Sequence, residues 1–241
     1  MNNKPTILIL HGWGLNKEFY AELSFILGQR GYDGRAIDFP GFGLADAPSR
    51  SLTLADYAQF LNEYIHAEHI EKPILIGHSF GGRVALKYNK MFPGETRALI
   101  LTGTPGYTPI PRKKLMIFIY LAKAGKYIFT LPLLNMIAGP VRLWYYYLVG
   151  ARDFYRAEGV MRDTFKDIIA EELDSCMKAV AVPCLLVWGE NDMIVPVRIA
   201  KKMNQTISGS NLVIVPNVNH GIPFLEPKKF YDAIAPFLKT L

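Results

Sequence analysis

The chain has 241 residues, half of them apolar and a fifth charged, with a formal charge of +6 from 27 Lys and Arg against 21 Asp and Glu. That content supplies the core of one ordinary domain with room for an insertion, and excludes a chain disordered throughout. Twenty Gly, sixteen Pro and two Cys exclude collagen-like and disulfide-framework classes. Cys176 and Cys184 stand in no metal-ligand spacing and read as buried, reduced thiols of a cytoplasmic protein. The opening Met-Asn-Asn-Lys-Pro runs directly into Thr6-Ile-Leu-Ile-Leu10, a pattern without the segments of a signal peptide.

From Thr6 onward, short apolar runs alternate with longer amphipathic ones, which predicts parallel strands covered by helices. Strands are expected at 6–10, 35–38, 73–77, 97–101, 184–188 and 212–215, and helices at 16–30, 53–70, 82–92, 197–207 and 227–239. The helix at 53 starts behind a Thr N-cap and repeats apolar residues at three- and four-residue steps. The alternation breaks at 107–180, where a Pro-rich entry leads into a helical pattern without strand signals. This divides the chain into an α/β core, 1–106 and 181–241, and an inserted helical segment, 107–180. Between Tyr107 and Arg152 lie seven Lys or Arg and no Asp or Glu, on the most lipophilic stretch of the chain. No apolar run there reaches the roughly 18 to 20 residues that span a bilayer. The run 152–169 mixes charges at helical spacing and reads as an exposed helix with internal ion pairs.

Chemistry concentrates at Gly77-His78-Ser79-Phe80-Gly81-Gly82, a G-x-S-x-G bracketed by an apolar strand and a helix. A serine there sits on a tight strand-to-helix turn, and the helix N-terminus beneath it favours developing negative charge. A hydroxyl is a poor nucleophile until a base takes its proton, and that base needs an orienting acid. Of five histidines, His66 and His69 lie late on an amphipathic helix, His11 leaves the first strand, and His78 sits inside the turn with its side chain directed away from Ser79. Elimination leaves His220, on a loop beyond the last strand. Asp192, on the loop after the strand at 184–188, is the acid; Glu190, nearer the strand end, braces the turn. The oxyanion requires two backbone donors. The Phe80 N–H supplies one, and the Trp13 N–H in His11-Gly-Trp-Gly14 the other.

In these motifs the sequence resembles the α/β-hydrolase superfamily over essentially its whole length: His11-Gly-Trp-Gly14, Asp38-Phe-Pro-Gly-Phe-Gly43, the Ser79 elbow, Trp188-Gly-Glu-Asn-Asp192 and Asn219-His-Gly221. The order Ser79, Asp192, His220 agrees with that resemblance. It implies an α/β-hydrolase fold, with a mostly parallel sheet flanked by helices and the helical insertion acting as a lid. It also implies an esterase-like member with a serine nucleophile. Asp38 would bond loop amides rather than do chemistry. Larger members carry an antiparallel hairpin before the first strand, which this chain begins too late to contain, so about six strands are expected. Serine at 79 rather than aspartate argues against the haloalkane dehalogenase and epoxide hydrolase branches.

The sequence therefore predicts cleavage of an ester or thioester of an apolar acyl group through an acyl-enzyme, without metal or organic cofactor. Two other readings stay open: a carbon–carbon bond hydrolase or lyase using the same triad, and a non-catalytic ligand-binding protein. Trp13, Met193, Ile194 and Trp144 are the candidates for substrate contact, although packing onto the core is the favoured reading of the lid aromatics. The basic, apolar stretch suits an anionic substrate, an anionic membrane surface or plain solvation. Nucleic acid is disfavoured, since the cations are interleaved with aliphatic side chains.

Overall fold

Apolar residues fill every position of β3 (Ile74–His78, up to its last two residues) and of β5 (Cys184–Gly189, up to its glycine), as strands buried on both faces require. In a computed structural model describing residues 5–107 and 158–241, these runs are interior strands of a six-stranded sheet. Its other strands are β1 (Thr6–Leu10), β2 (Asp33–Ile37), β4 (Ala98–Thr102) and β6 (Asn211–Val215). The order is β2-β1-β3-β4-β5-β6, and every pairing is parallel.

Because side chains alternate across a strand, the sheet builds two cores. Leu8, Leu10, Leu75, Leu99, Leu101, Leu186 and Trp188 face one side, with α2 (Leu54–Ala67) and α3 (Phe80–Met91). Ile7, Ile9, Ile74, Ile76, Ile100, Leu185 and Val187 face the other, with α1 (Ala21–Gln29) and the last helix. The remaining α-helices among the described residues are α4 (Gly159–Ala170), α5 (Asp174–Lys178), α6 (Val197–Thr206), α7 (Ile222–Leu225) and α8 (Pro227–Leu238). Thr53 caps α2 through a reciprocal box: its hydroxyl accepts from the Asp56 N–H, and Asp56 accepts from the Thr53 N–H.

The predicted strands are all present within one or two residues. The expected helix at 16–30 divides into a 3-10 turn, Lys17–Tyr20, and α1, with Tyr20 buried at the junction. Helix α3 begins at Phe80, taking both elbow glycines into its first turn. The mixed-sign run is helical from Gly159 on, but not exposed all round. Thr164 and Ile168, four residues apart, are buried while Asp163 and Lys166 pair on the outer side. Cys176, Met177 and Val180, within the expected insertion, join the main core. The basic stretch 108–152 and Trp144 lie outside the described residues. Among those described, no helix is long and apolar enough to cross a membrane.

The chain leaves β1 for β2 on one side and later returns to β3 on the other. The reversal falls between β1 and β3, and the crevice outside the carboxyl ends of two such strands is where open α/β sheets bind ligands. Loop 11–14 and Ser79 follow these two strands.

Candidate active site

Strand β3 ends at His78, and Ser79 turns the chain into α3 with φ 52° and ψ −111°. A residue with a Cβ pays about 1–3 kcal/mol for such a conformation, so the surroundings must enforce it. They do so by leaving no room elsewhere. A Cβ on Gly77 would come within 2.5 Å of the Gly82 Cα, and one on Gly81 would strike the Leu10 and His11 carbonyls. Strand and helix backbones are thus in direct contact. The Ser79 N–H donates to the Thr102 carbonyl at 2.9 Å, and the Gly81 N–H to the His11 carbonyl at 3.0 Å. The second bond fastens the elbow to the loop that carries Trp13.

His220 Nδ1 bonds Asp192 Oδ2 at 2.8 Å. Asp192 is buried, and its other oxygen accepts from the Ile194 and Val195 N–H groups at 2.9 and 2.8 Å, which fixes the carboxylate plane. The imidazole lies on Gly103, where an added Cβ would sit 2.7 Å from Cε1 and 2.8 Å from Nδ1. Ser79 is anchored to Thr102 and His220 rests on Gly103, so adjacent residues at the end of β4 bring these distant segments together. Glu190, the competitor for the acid role, accepts from the Asn217 N–H at 3.2 Å and braces the turn as expected. Asp38 accepts from the Lys17 and Leu44 N–H groups at 2.7 and 3.2 Å, a loop-holding role.

Phe80 occupies the first helical position, where an N–H has no acceptor within its own helix. The Trp13 ring is half-buried, with edge contacts to Phe42, Phe80 and Phe165 at centroid distances of 4.8, 5.5 and 4.9 Å. Met193 and Ile194 are exposed, on the loop just past Asp192.

Sequence reading missed Phe165 and Met161, which α4 holds over the Trp13 and Gly41 loops. Their four-residue spacing was the available signal. It also missed the strut beneath them. Arg83, one residue after the elbow, is buried and donates to the Pro105, Ile168 and Glu171 carbonyls at 2.5, 2.8 and 2.5 Å. Two of these carbonyls belong to the C-terminal end of α4, where a cation also meets the favourable end of the helix dipole. Burial pushes its guanidinium down to about 10, so it stays charged at neutral pH.

Two further histidines are buried beside the site. His11 Nε2 accepts from the Phe39 N–H at 3.1 Å, so its Nδ1–H donates to the Gly12 carbonyl at 2.8 Å. His78 lies between Tyr20 and the His220 carbonyl. Burial depresses the pKa of both, and the neighbouring His220 lowers that of His78 further. The folded protein therefore refuses protons that the unfolded chain accepts near pH 6.5. Stability is full above that value and falls as pH drops below it, by up to about 1.4 kcal/mol per pH unit for each histidine. Melting temperatures between pH 7.5 and 5.0 should show this decline, shallower in His78→Asn. A flat profile would refute it.

The sequence matches the alpha/beta hydrolase family over residues 7–233. It is 29% identical to the AB hydrolase superfamily protein YisY of Bacillus subtilis, covering 96% of this chain and 90% of that one. It is 26% identical to a pimeloyl-[acyl-carrier protein] methyl ester esterase of Neisseria meningitidis, over 95% and 90% of the two chains. Among solved structures, an esterase from Exiguobacterium antarcticum superposes with a TM-score of 0.75 at 23% identity, covering 99% and 93%. The chain belongs to the alpha/beta hydrolase family and is a hydrolase.

Proposed function

We propose that the protein hydrolyses a carboxylic ester or thioester of an apolar acyl group, with Ser79, His220 and Asp192 as its triad. The observation that carries this reading is the 2.8 Å bond between His220 Nδ1 and buried Asp192, taken with a serine held at positive φ on the strand-to-helix turn. With Nδ1–H donated to the carboxylate, Nε2 is the basic nitrogen. It takes the Ser79 proton as Oγ attacks the carbonyl, and the Phe80 and Trp13 N–H groups receive the oxyanion. The tetrahedral species collapses as Nε2–H protonates the leaving oxygen or sulfur. Water, deprotonated by the same nitrogen, then releases the acid and restores Ser79.

The apolar preference rests on the Trp13, Phe42 and Phe165 contacts, with Met161 close by; pockets so lined bind apolar groups. An ester as substrate is supported by the methyl ester esterase of Neisseria to which the chain is similar. Residues 107–180 are the lid of this reading, with α5 sunk into the core as its root and Met193 and Ile194 at the rim. Both cysteines are free and buried, which suits a reducing cytoplasm.

Turnover of p-nitrophenyl esters of increasing chain length, and of matching thioesters, tests the proposal. A pre-steady-state burst of nitrophenol of about one equivalent, with kcat/KM rising from acetyl to medium chains, is expected. Absence of both burst and turnover on every member of the series would overturn it.

A further inference from the structure

Resting on the triad reading above, we propose that Tyr20 and His78 are positioning residues, a buried hydrogen-bonded rod that couples the Trp13 loop to the backbone of His220.

The rod has four members and one permitted direction. At one end the Gly12 N–H can only donate, and it meets Tyr20 Oη at 3.1 Å. At the other the His220 carbonyl can only accept, and it meets His78 Nε2 at 3.0 Å. Nε2 therefore carries the proton and, in the neutral ring, Nδ1 is bare. Tyr20 Oη lies 2.7 Å from Nδ1 and donates its proton there. Every donor then has one acceptor, running from Gly12 through Tyr20 and His78 to His220. Neither side chain is solvated: Tyr20 is fully buried and His78 is 1% exposed. Phe224 closes the space, with ring centroids 5.9 Å from Tyr20 and 5.7 Å from His78. Gly12 cannot grow a side chain without crowding this rod, since its Cβ would lie 3.0 Å from His78 Nδ1.

The two ends bear on different halves of the chemistry. Gly12 immediately precedes Trp13, whose N–H is the proposed second oxyanion donor, and the His220 backbone carries the general base. Residues 12, 20, 78 and 220 come from four separate segments, so the rod sets the spacing between oxyanion donor and base. Neither Tyr20 nor His78 touches the reacting atoms. Breaking the rod at either residue frees both ends, and a misplacement of about 1 Å in such a site costs on the order of 100-fold.

The test compares wild type, Tyr20→Phe, His78→Leu, the double variant and His78→Gln, which keeps an N–H for the His220 carbonyl. Tyr20→Phe and His78→Leu should each lower kcat on a p-nitrophenyl ester by about 10- to 100-fold with KM changed less than about 3-fold. The double variant should be no slower than the slower single, and His78→Gln should recover activity relative to His78→Leu. Unchanged kcat in the singles, or losses that multiply in the double, would overturn the coupling while leaving an active wild type and its triad intact. A wild type without activity would defeat the triad and this inference together. Nitrogen-15 spectra of the wild-type imidazoles give a check that needs no variant to fold: His78 must be the neutral Nε2–H form at pH 7.5, and an Nδ1–H signal refutes the rod.

Discussion

Ser79→Ala is expected to lower kcat for ester hydrolysis by about 10⁴- to 10⁶-fold, because it removes the only atom that forms the acyl bond. The fold should not notice. The elbow is held by backbone bonds from Ser79 N–H to Thr102 and from Gly81 N–H to His11, and both survive the change. Alanine keeps the same Cβ, hence the same positive-φ strain, so the melting temperature should move by no more than about 2 °C. Ser79→Gly separates strain from chemistry. It should be as inactive as the alanine variant yet melt at or above wild type, since glycine takes φ near 52° without steric cost. Thermal melts and steady-state kinetics on the three proteins check both halves. A variant that keeps more than about 1% of activity would contradict the nucleophile assignment.

Asp192→Asn should cost about 10⁴-fold in kcat, with KM little altered. The carboxylate is almost wholly buried and accepts three hydrogen bonds, from the Ile194 and Val195 N–H groups and from His220 Nδ1. An amide has one acceptor oxygen. The two backbone N–H groups claim it, because rotating the NH₂ toward them would set donors against donors. The NH₂ is then left facing His220 Nδ1, which must become the bare nitrogen, and the ring proton moves to Nε2. A ring protonated there cannot accept the Ser79 proton. The loss thus arises from the wrong tautomer in an intact frame, and kinetics paired with imidazole nitrogen-15 spectra should report both. Retained Nδ1–H in the variant, or activity within 10-fold of wild type, would contradict this account of Asp192.

Most of the frame was legible because the sheet is buried on both faces, and such strands have a strong signature. Runs such as Leu99-Ile-Leu101 and Leu185-Leu-Val187 admit few other readings. The candidate site was legible for a related reason: Ser79, Asp192 and His220 each sit just past a strand, where chain order and turn residues are written locally. Strand β2 was less so. The strand is expected only from Arg35, yet Asp33 and Gly34 begin it, since pairing with Thr6 and Ile7 overrides local preference. Gly34 is required there by the approach of α1, as a Cβ would come within 2.8 Å of Leu27. The one-turn helices α5 and α7 are too short to show a period.

What the sequence did not carry is the set of polar bonds that tertiary contact alone creates. His78 is read from the sequence only as directed away from Ser79, while its partners lie 58 and 142 residues away. Arg83 belongs to none of the sequence motifs, yet it joins two carbonyls 85 and 88 residues distant. Neither spacing has a local pattern, and both define how the site is held.

The most direct measurement is intact-mass analysis of the protein treated with a fluorophosphonate, followed by peptide mapping. The account predicts one phosphonyl group per chain on the peptide containing Ser79, no adduct in Ser79→Ala, and labelling slowed by orders of magnitude in His220→Ala. A folded wild type that takes no label, or a label that persists in Ser79→Ala, would contradict it.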